Sequence, residues 1–322
     1  MKSHYLLLCL LGITTGVSRA DAQALYGATS SGHGELYVLN TATGGVVQDV
    51  GPLNDASAVN YSVSGLAFNP LNGVLYGSTG GASGTKLLTI DPSSGLVTVV
   101  GSFSVGTATM TDLAFDSSGN LYGISSTGGA NLYSINPSTG TATQVGASGV
   151  SFTQGGGLAI SSTGIFYGAP IPGEYGTYNP TNGVYTHIAT PASPAGAGGG
   201  YAALAFNGST LYGDNLVAGG SGTTHLVTID PPTGNVTDIG SSVTHLDAIA
   251  FQPAPALTIQ PTTNGVVIGW PASATGYQLQ QNTNVATTNW VTNTTPTNVV
   301  SGTNQVTISP ASGNTFFRLV NP

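Results

Sequence analysis

The sequence predicts an all-β protein of five repeated units closed into a ring, with a smaller all-β unit behind them. Three observations carry this. Leu-Tyr-Gly, or its variant Phe-Tyr-Gly, starts at residues 25, 75, 121, 166 and 211, so successive copies are 50, 46, 45 and 45 residues apart. A second anchor, Leu-Ala-Phe with its variants, stands at 66–68, 113–115, 158–160, 204–206 and 249–251. The two anchors run out of phase. The region opens on a Leu-Tyr-Gly strand and closes on an Ile-Ala-Phe strand. A last strand that completes the first unit leaves no sheet edge open.

The unit itself is clearest at Leu113 to Gly146. Leu113-Ala114-Phe115 is a short apolar strand, and Asp116 to Asn120 is a turn. Asn120 to Ile124 forms the second strand, and a Gly-rich loop leads to Leu132-Tyr133-Ser134-Ile135, where large and small residues alternate. Asn136-Pro137-Ser138-Thr139-Gly140 then turns the chain into Thr141 to Val145. In that turn the Asn side chain bonds backbone ahead of it, Pro presets φ, and Gly accepts the left-handed position. One such four-stranded meander buries too little apolar surface to stand alone, so neighbours must stack. The spacing fits the blades of a β-propeller, and the reading is a five-bladed β-propeller over residues 23–253.

Lys2 precedes the apolar run Tyr5 to Ile13, and Ala20-Asp21-Ala22 offers a small-x-small cleavage site before Gln23. Residues 1–22 therefore read as a secretory signal peptide, the apolar run being well short of the ~20 residues a membrane span needs. The single cysteine, Cys9, lies inside it, so the mature chain is expected to have neither disulfide nor thiolate chemistry. Beyond residue 22 the only basic residues are Lys86 and Arg318, against eleven of the 12 acidic residues (Asp21 being the twelfth). Nucleic acid is a poor partner for such a chain, which has no cations to displace phosphate counterions. A basic membrane-surface patch is missing for the same reason.

The run Gly65-Leu-Ala-Phe-Asn-Pro, Leu75-Tyr-Gly, Leu88-Thr-Ile-Asp-Pro-Ser-Ser-Gly95 and Val97-Thr-Val-Val-Gly101 resembles the repeats of secreted bacterial β-propellers of the NHL/YVTN-like group. The resemblance implies the propeller fold and a range of roles: binding scaffolds, surface proteins and a minority of enzymes. After Ala254-Pro255-Ala256 the pattern changes to short alternating strands. Trp270-Pro-Ala-Ser, Gly276-Tyr-Gln-Leu-Gln280, Asn289-Trp290 and Phe316-Phe317-Arg318-Leu319 are similar to fibronectin-III-like domains that end secreted bacterial proteins. Residues 254–322 are accordingly expected to form a small β-sandwich that spaces, attaches or sorts the main domain.

A residue repeated in every blade reads as architecture, and one found in a single blade as a candidate for function. By that rule Tyr26, Tyr76, Tyr122, Tyr167 and Tyr212 are inter-blade packing rather than a ligand ladder. Variable loops leave the sheets on one face, where binding usually sits. The single-copy polar residues assigned to that face as ligand-binding candidates are Glu35, Asp112, Glu174, Tyr201, His225, His245 and Asp247. Lys86 shares the register of Glu35, Glu174 and His225, and His33 and Asp214 are read as loop residues. His187 is read as outer surface.

No nucleophile elbow, phosphate loop or ligand-spacing motif is present. No cofactor and no catalytic residue is assigned. The function read from the sequence is a secreted, non-catalytic binding or surface protein whose loop face meets an extracellular glycan or protein. Two alternatives stand beside it. One is a metal-dependent hydrolase or lyase on an extracellular polysaccharide, using His33, His225, His245 and Asp247 around a Zn²⁺-like ion; the other is a structural envelope component. A Ca²⁺ ion held by aspartates and loop carbonyls is a further metal reading, but the Asp-Pro-x-x-Gly turns are assigned to turn formation.

Overall fold

The computed structural model describes residues 23–79, 85–106, 109–125, 128–150, 156–196, 199–218, 222–263, 265–272, 274, 277–309 and 314–320. The expected signal peptide, residues 1–22, lies outside them. The described residues form strands and turns without a helix. They build seven antiparallel sheets, two more than the five expected blades, because residues 258–320 contribute two of their own.

Within the repeats the chain forms a β-propeller of four-stranded sheets. The first joins β1 (Leu25–Thr29), β2 (Glu35–Leu39) and β3 (Val46–Pro52) to the much later β20 (Leu246–Phe251). The next follow in chain order: β4 (Val63–Phe68), β5 (Leu75–Thr79), β6 (Lys86–Ile90) and β7 (Val97–Ser102), then β8 (Met110–Phe115), β9 (Leu121–Ser125), β10 (Leu132–Ile135) and β11 (Ala142–Gly146). After them come β12 (Gly157–Ile160), β13 (Phe166–Ala169), β14 (Tyr175–Tyr178) and β15 (Tyr185–Ala189), and finally β16 (Tyr201–Asn207), β17 (Thr210–Asn215), β18 (Thr223–Ile229) and β19 (Val236–Thr244). Residues 249–251 pair with residues 25–27, so the second anchor of the last repeat completes the sheet begun by the first anchor. The first strand of each sheet packs on that of the next, β4 on β8, β8 on β12, β12 on β16, β16 on β20 and β20 on β4.

The repeated aromatics form the joints between sheets. Tyr26 meets Phe68 at 5.5 Å, Tyr76 meets Phe115 at 5.3 Å, Tyr167 meets Phe206 at 5.7 Å and Tyr212 meets Phe251 at 4.9 Å, each at an interplanar angle near 60°. Each Leu-Tyr-Gly tyrosine thus packs on the Leu-Ala-Phe phenylalanine of the following sheet. Where that phenylalanine is Ile160, Tyr122 turns to Phe166 instead, at 4.8 Å. Tilted and edge-on geometry is what aromatic quadrupoles favour, worth ~0.5–1.5 kcal/mol per pair beyond the buried area.

The turns carry a second joint. Asp91 Oδ1 accepts the Ser93 N–H, and Asn40, Asn136 and Asn179 accept the equivalent N–H of Ala42, Ser138 and Thr181. Asp and Asn substitute for one another there because the turn needs only a side-chain oxygen. The glycine closing each turn abuts the outer strand of the preceding sheet. A Cβ on Gly95 would lie 2.9 Å from Pro52 O, and one on Gly44 would lie 2.6 Å from Gly240 O, which links first and last sheets a second time. The partner positions are equally tight: a Cβ on Gly146 would sit 1.8 Å from Asn182 O.

Residues 258–320 form one sheet in the order β21 (Thr258–Thr262), β22 (Gly265–Pro271), β26 (Thr303–Ile308), β25 (Asn298–Val300). The other runs β24 (Val291–Thr292), β23 (Gln278–Asn282), β27 (Phe316–Val320). Ile268, Trp270 and Val306 of the first share an apolar cluster with Leu279, Phe317 and Leu319 of the second. Arg318 lies 4.4 Å over the Trp290 ring and is held by Gln280.

Candidate functional site

Near the start of each first strand, one residue precedes the apolar anchor. These residues are Gly65, Asp112, Gly157, Ala203 and Ala248, four small and one acidic. Asp112 is fully buried, and its carboxylate ties three first strands together. Oδ2 accepts Leu158 N–H at 2.8 Å and Leu204 N–H at 3.0 Å, and Oδ1 accepts Leu113 N–H at 2.8 Å. The small neighbours are obligatory, since a Cβ on Gly65 would lie 2.6 Å from Asp112 Cα. The bulges in β4, β8 and β16 free backbone groups at this level, and Ser64 and Ser78 both donate to Met110 O. Burial pushes the Asp112 carboxyl well above the usual carboxylate value, against the pull of its three amide donors. Asp112 was expected to face a ligand. It closes the middle of the ring instead.

Tyr201 is corrected in the same way. It is 2% exposed, and its hydroxyl donates to Ala192 O within the protein. Asp214, read as a loop residue, stands in β17 and is fully buried. Its Oδ1 accepts Ala203 N–H at 2.6 Å. Asp247 is partly buried at the start of β20 beside Ser30 and His245, and burial raises its carboxyl to about 6. His245 has φ +60°, a left-handed conformation that costs a non-glycine residue energy.

The other candidates lie at or beside the start of the third strands, His225 being the third residue of β18. Register aligns Glu35, Lys86, Asn131, Glu174 and His225 there. Glu174 Oε2 lies 2.7 Å from His187 Nδ1, and His225 Nδ1 lies 3.0 Å from Asp238 Oδ1. These two pairs sit at one place in adjacent sheets with acid and imidazole exchanged. In the next sheet round the ring, burial and the neighbouring Asp49 carboxylate raise the Glu35 carboxyl. His187, Asp238 and Asp49 were not among the candidates. Cross-strand register from Glu174, His225 and Glu35 is the signal that finds them. Lys86 lies 5.5 Å over the Tyr61 ring, whose hydroxyl donates to Asp55 at 3.1 Å.

His33, His225, His245 and Asp247 were expected as an alternative metal cluster. Among the described residues no three His, Cys, Asp or Glu side chains are placed to hold a metal, and His225 is turned to Asp238 and Ser241. Two clefts lie away from this face. One of about 400 Å³ runs between Leu71–Asn72 and the outer face of the sheet containing Thr258, Gln260, Gly269, Thr303 and Gln305. Another, of about 450 Å³, is lined by Gln281, Asn284, Asn289 and Val291 in the last unit. Neither lining contains a charged side chain.

Residues 26–204, more than half of the chain, match the family model described as a repeat of unknown function (DUF6923). The chain belongs to that repeat family. No curated protein matches it. Similar solved structures include the nidogen/laminin complex, at 13% identity over 71% of this chain and 98% of that chain, TM-score 0.47. A protein of unknown function from Bacteroides caccae gives 13% identity over 71% and 98%, TM-score 0.41. The extracellular domain of a hybrid two-component system from B. thetaiotaomicron gives 12% identity over 78% and 32%, TM-score 0.38.

Proposed function

We propose that this DUF6923 repeat protein is a secreted, non-catalytic binding or surface protein. Its body is read as a five-bladed propeller over residues 23–253, closed by β20, and its last unit as a fibronectin-III-like spacer or attachment domain. The loop face is read as the part that recognises an extracellular glycan or protein. One observation carries this: Glu35 with Asp49, Glu174 with His187 and His225 with Asp238 occupy one register position in three contiguous sheets. They form a polar arc on a scaffold whose centre is closed by Asp112. His245 and Asp247 lie inward of that arc. Rigid scaffolds with variable loops commonly bind this way. The signal peptide reading of residues 1–22 supports secretion.

The test uses residues 23–322 with a panel of soluble and insoluble polysaccharides, scoring bound protein and released sugars with and without chelator. Retention without products supports the reading, and chelator-sensitive release of sugars overturns it. Comparing Glu174→Ala/His225→Ala with Gln260→Ala/Gln305→Ala tells the loop face from the neutral cleft beside Leu71. Loss only in the second pair would move the binding site to that cleft.

A further inference from the structure

Among the described residues, Asp214 Oδ2 is a fully buried carboxylate oxygen with no hydrogen-bond partner. The other oxygen is taken up by Ala203 N–H at 2.6 Å. The four equivalent positions hold Ala28, Ser78, Ile124 and Ala169, so the repeat does not require an acid there. β17 packs on β20, which carries Asp247, and the Asp247 carboxylate adds to burial in raising the Asp214 carboxyl. Asp247 is again singular, its equivalents being Ser64, Thr111, Gly156 and Ala202. Two acids that the architecture does not need therefore stand on packed strands, Asp214 fully buried and Asp247 partly so. Lys86 is the only Lys or Arg between residues 23 and 253, and it is committed to Tyr61.

A buried carboxylate oxygen without donor or counter-charge is costly and calls for an unseen partner. We propose that Asp214 and Asp247 together bind one hard divalent cation of the Ca²⁺ class. Register breaks where β16 meets β17 and where β20 meets β1, at the level of the two acids. Ca²⁺ takes about six to eight oxygen ligands, carboxylate and carbonyl alike. A zinc-type site does not fit, since no three His, Cys, Asp or Glu groups converge among the described residues. The ion would fasten β17 to β20 where the chain closes its ring, so its effect is on stability and does not depend on which ligand the outer face takes.

The experiment uses residues 23–322 stripped with EDTA, then titrated with CaCl₂, MgCl₂ and NaCl. Melting temperature and Tb³⁺ luminescence excited through tyrosine are the readouts. One Ca²⁺ per chain by equilibrium dialysis, with a rise of several degrees at millimolar Ca²⁺, is the expected result. Asp214→Asn and Asp247→Asn should each lose the Ca²⁺ shift and the Tb³⁺ signal, while Asp116→Asn, at an exposed turn acid of another sheet, keeps both. A wild-type protein indifferent to Ca²⁺, or either Asn variant still holding one ion, overturns the proposal. So does an Asp214→Asn protein that melts higher in EDTA alongside a wild type that ignores cations, since a proton then satisfies Asp214.

Discussion

The centre of the ring and its loop-face arc use the same residue types to opposite ends. At the centre, Asp112 has no exposed surface and spends its carboxylate on three backbone N–H groups from three strands. On the arc, Glu174 and Asp238 remain partly exposed and meet imidazoles. A carboxylate in the first setting is an internal staple whose removal strands donors away from water. In the second, water replaces whatever is lost. Single occurrence among repeats marks departure from the repeat, and burial decides whether that departure serves structure or contact.

The largest effect that would sharpen this contrast is Asp112→Ala. Leu158 and Leu204 N–H lose their acceptor, which at ~1–3 kcal/mol for each unsatisfied group amounts to about 2–6 kcal/mol of stability. Urea unfolding measures it, and a loss below about 1 kcal/mol would mean the centre rehydrates, contrary to the staple. Next is Gly146→Ala, where the new methyl runs into Asn182 O on the following sheet. Overpacking of this kind costs about 1–3 kcal/mol and should lower the melting temperature without changing the sheet content. An unchanged melting temperature would show that the turn-to-strand joint yields freely.

The pH dependence comes third. The Asp247 carboxyl is raised to about 6 by burial, and burial also raises Asp112 and Asp214. A raised carboxyl binds its proton more tightly in the folded state than in the unfolded chain. The associated stability is complete below the unfolded value and is lost as pH rises through the folded one. Melting temperature measured without divalent cations should therefore fall from pH 4 to pH 6.5. Asp247→Asn should flatten that slope, and a slope unchanged by the substitution would reassign the proton. The smallest effect belongs to the arc. Glu174→Gln and His225→Ala should each shift stability by less than about 0.5 kcal/mol, as solvent-accessible polar pairs do. Their consequence is expected in partner binding, a loss of about three- to tenfold by titration on any ligand the panel identifies.

How much of this was legible beforehand varies by residue. The tyrosine ladder was readable because repetition separates architecture from function, and Tyr26 on Phe68 is the packing that repetition implied. The Asn136 turn was readable because its hydrogen bond is local, from Asn136 Oδ1 to Ser138 N–H. Asp112 stands out in the sequence as a single-copy acid, but its burial and amide partners give it an internal place instead of the expected loop-face one. Its partners lie 46 and 92 residues away, and no local pattern reveals that two amides are pointing at it. Asp214 reads as a loop residue because it directly follows Leu-Tyr-Gly, whereas β17 continues to Asn215. Asp238 and His187 give no functional signal in the sequence because outer strands read as solvated surface.

Strand positions, turns, the out-of-phase anchors and the all-β class follow from the sequence alone, since each depends on residues within one short segment and on a period that repeats. The closed centre, the acid–imidazole pairs and the encounter of Asp214 with Asp247 were decided only by the tertiary structure. They arise between strands far apart in the chain, where ring geometry and burial, not local pattern, set which groups meet and whether water can reach them.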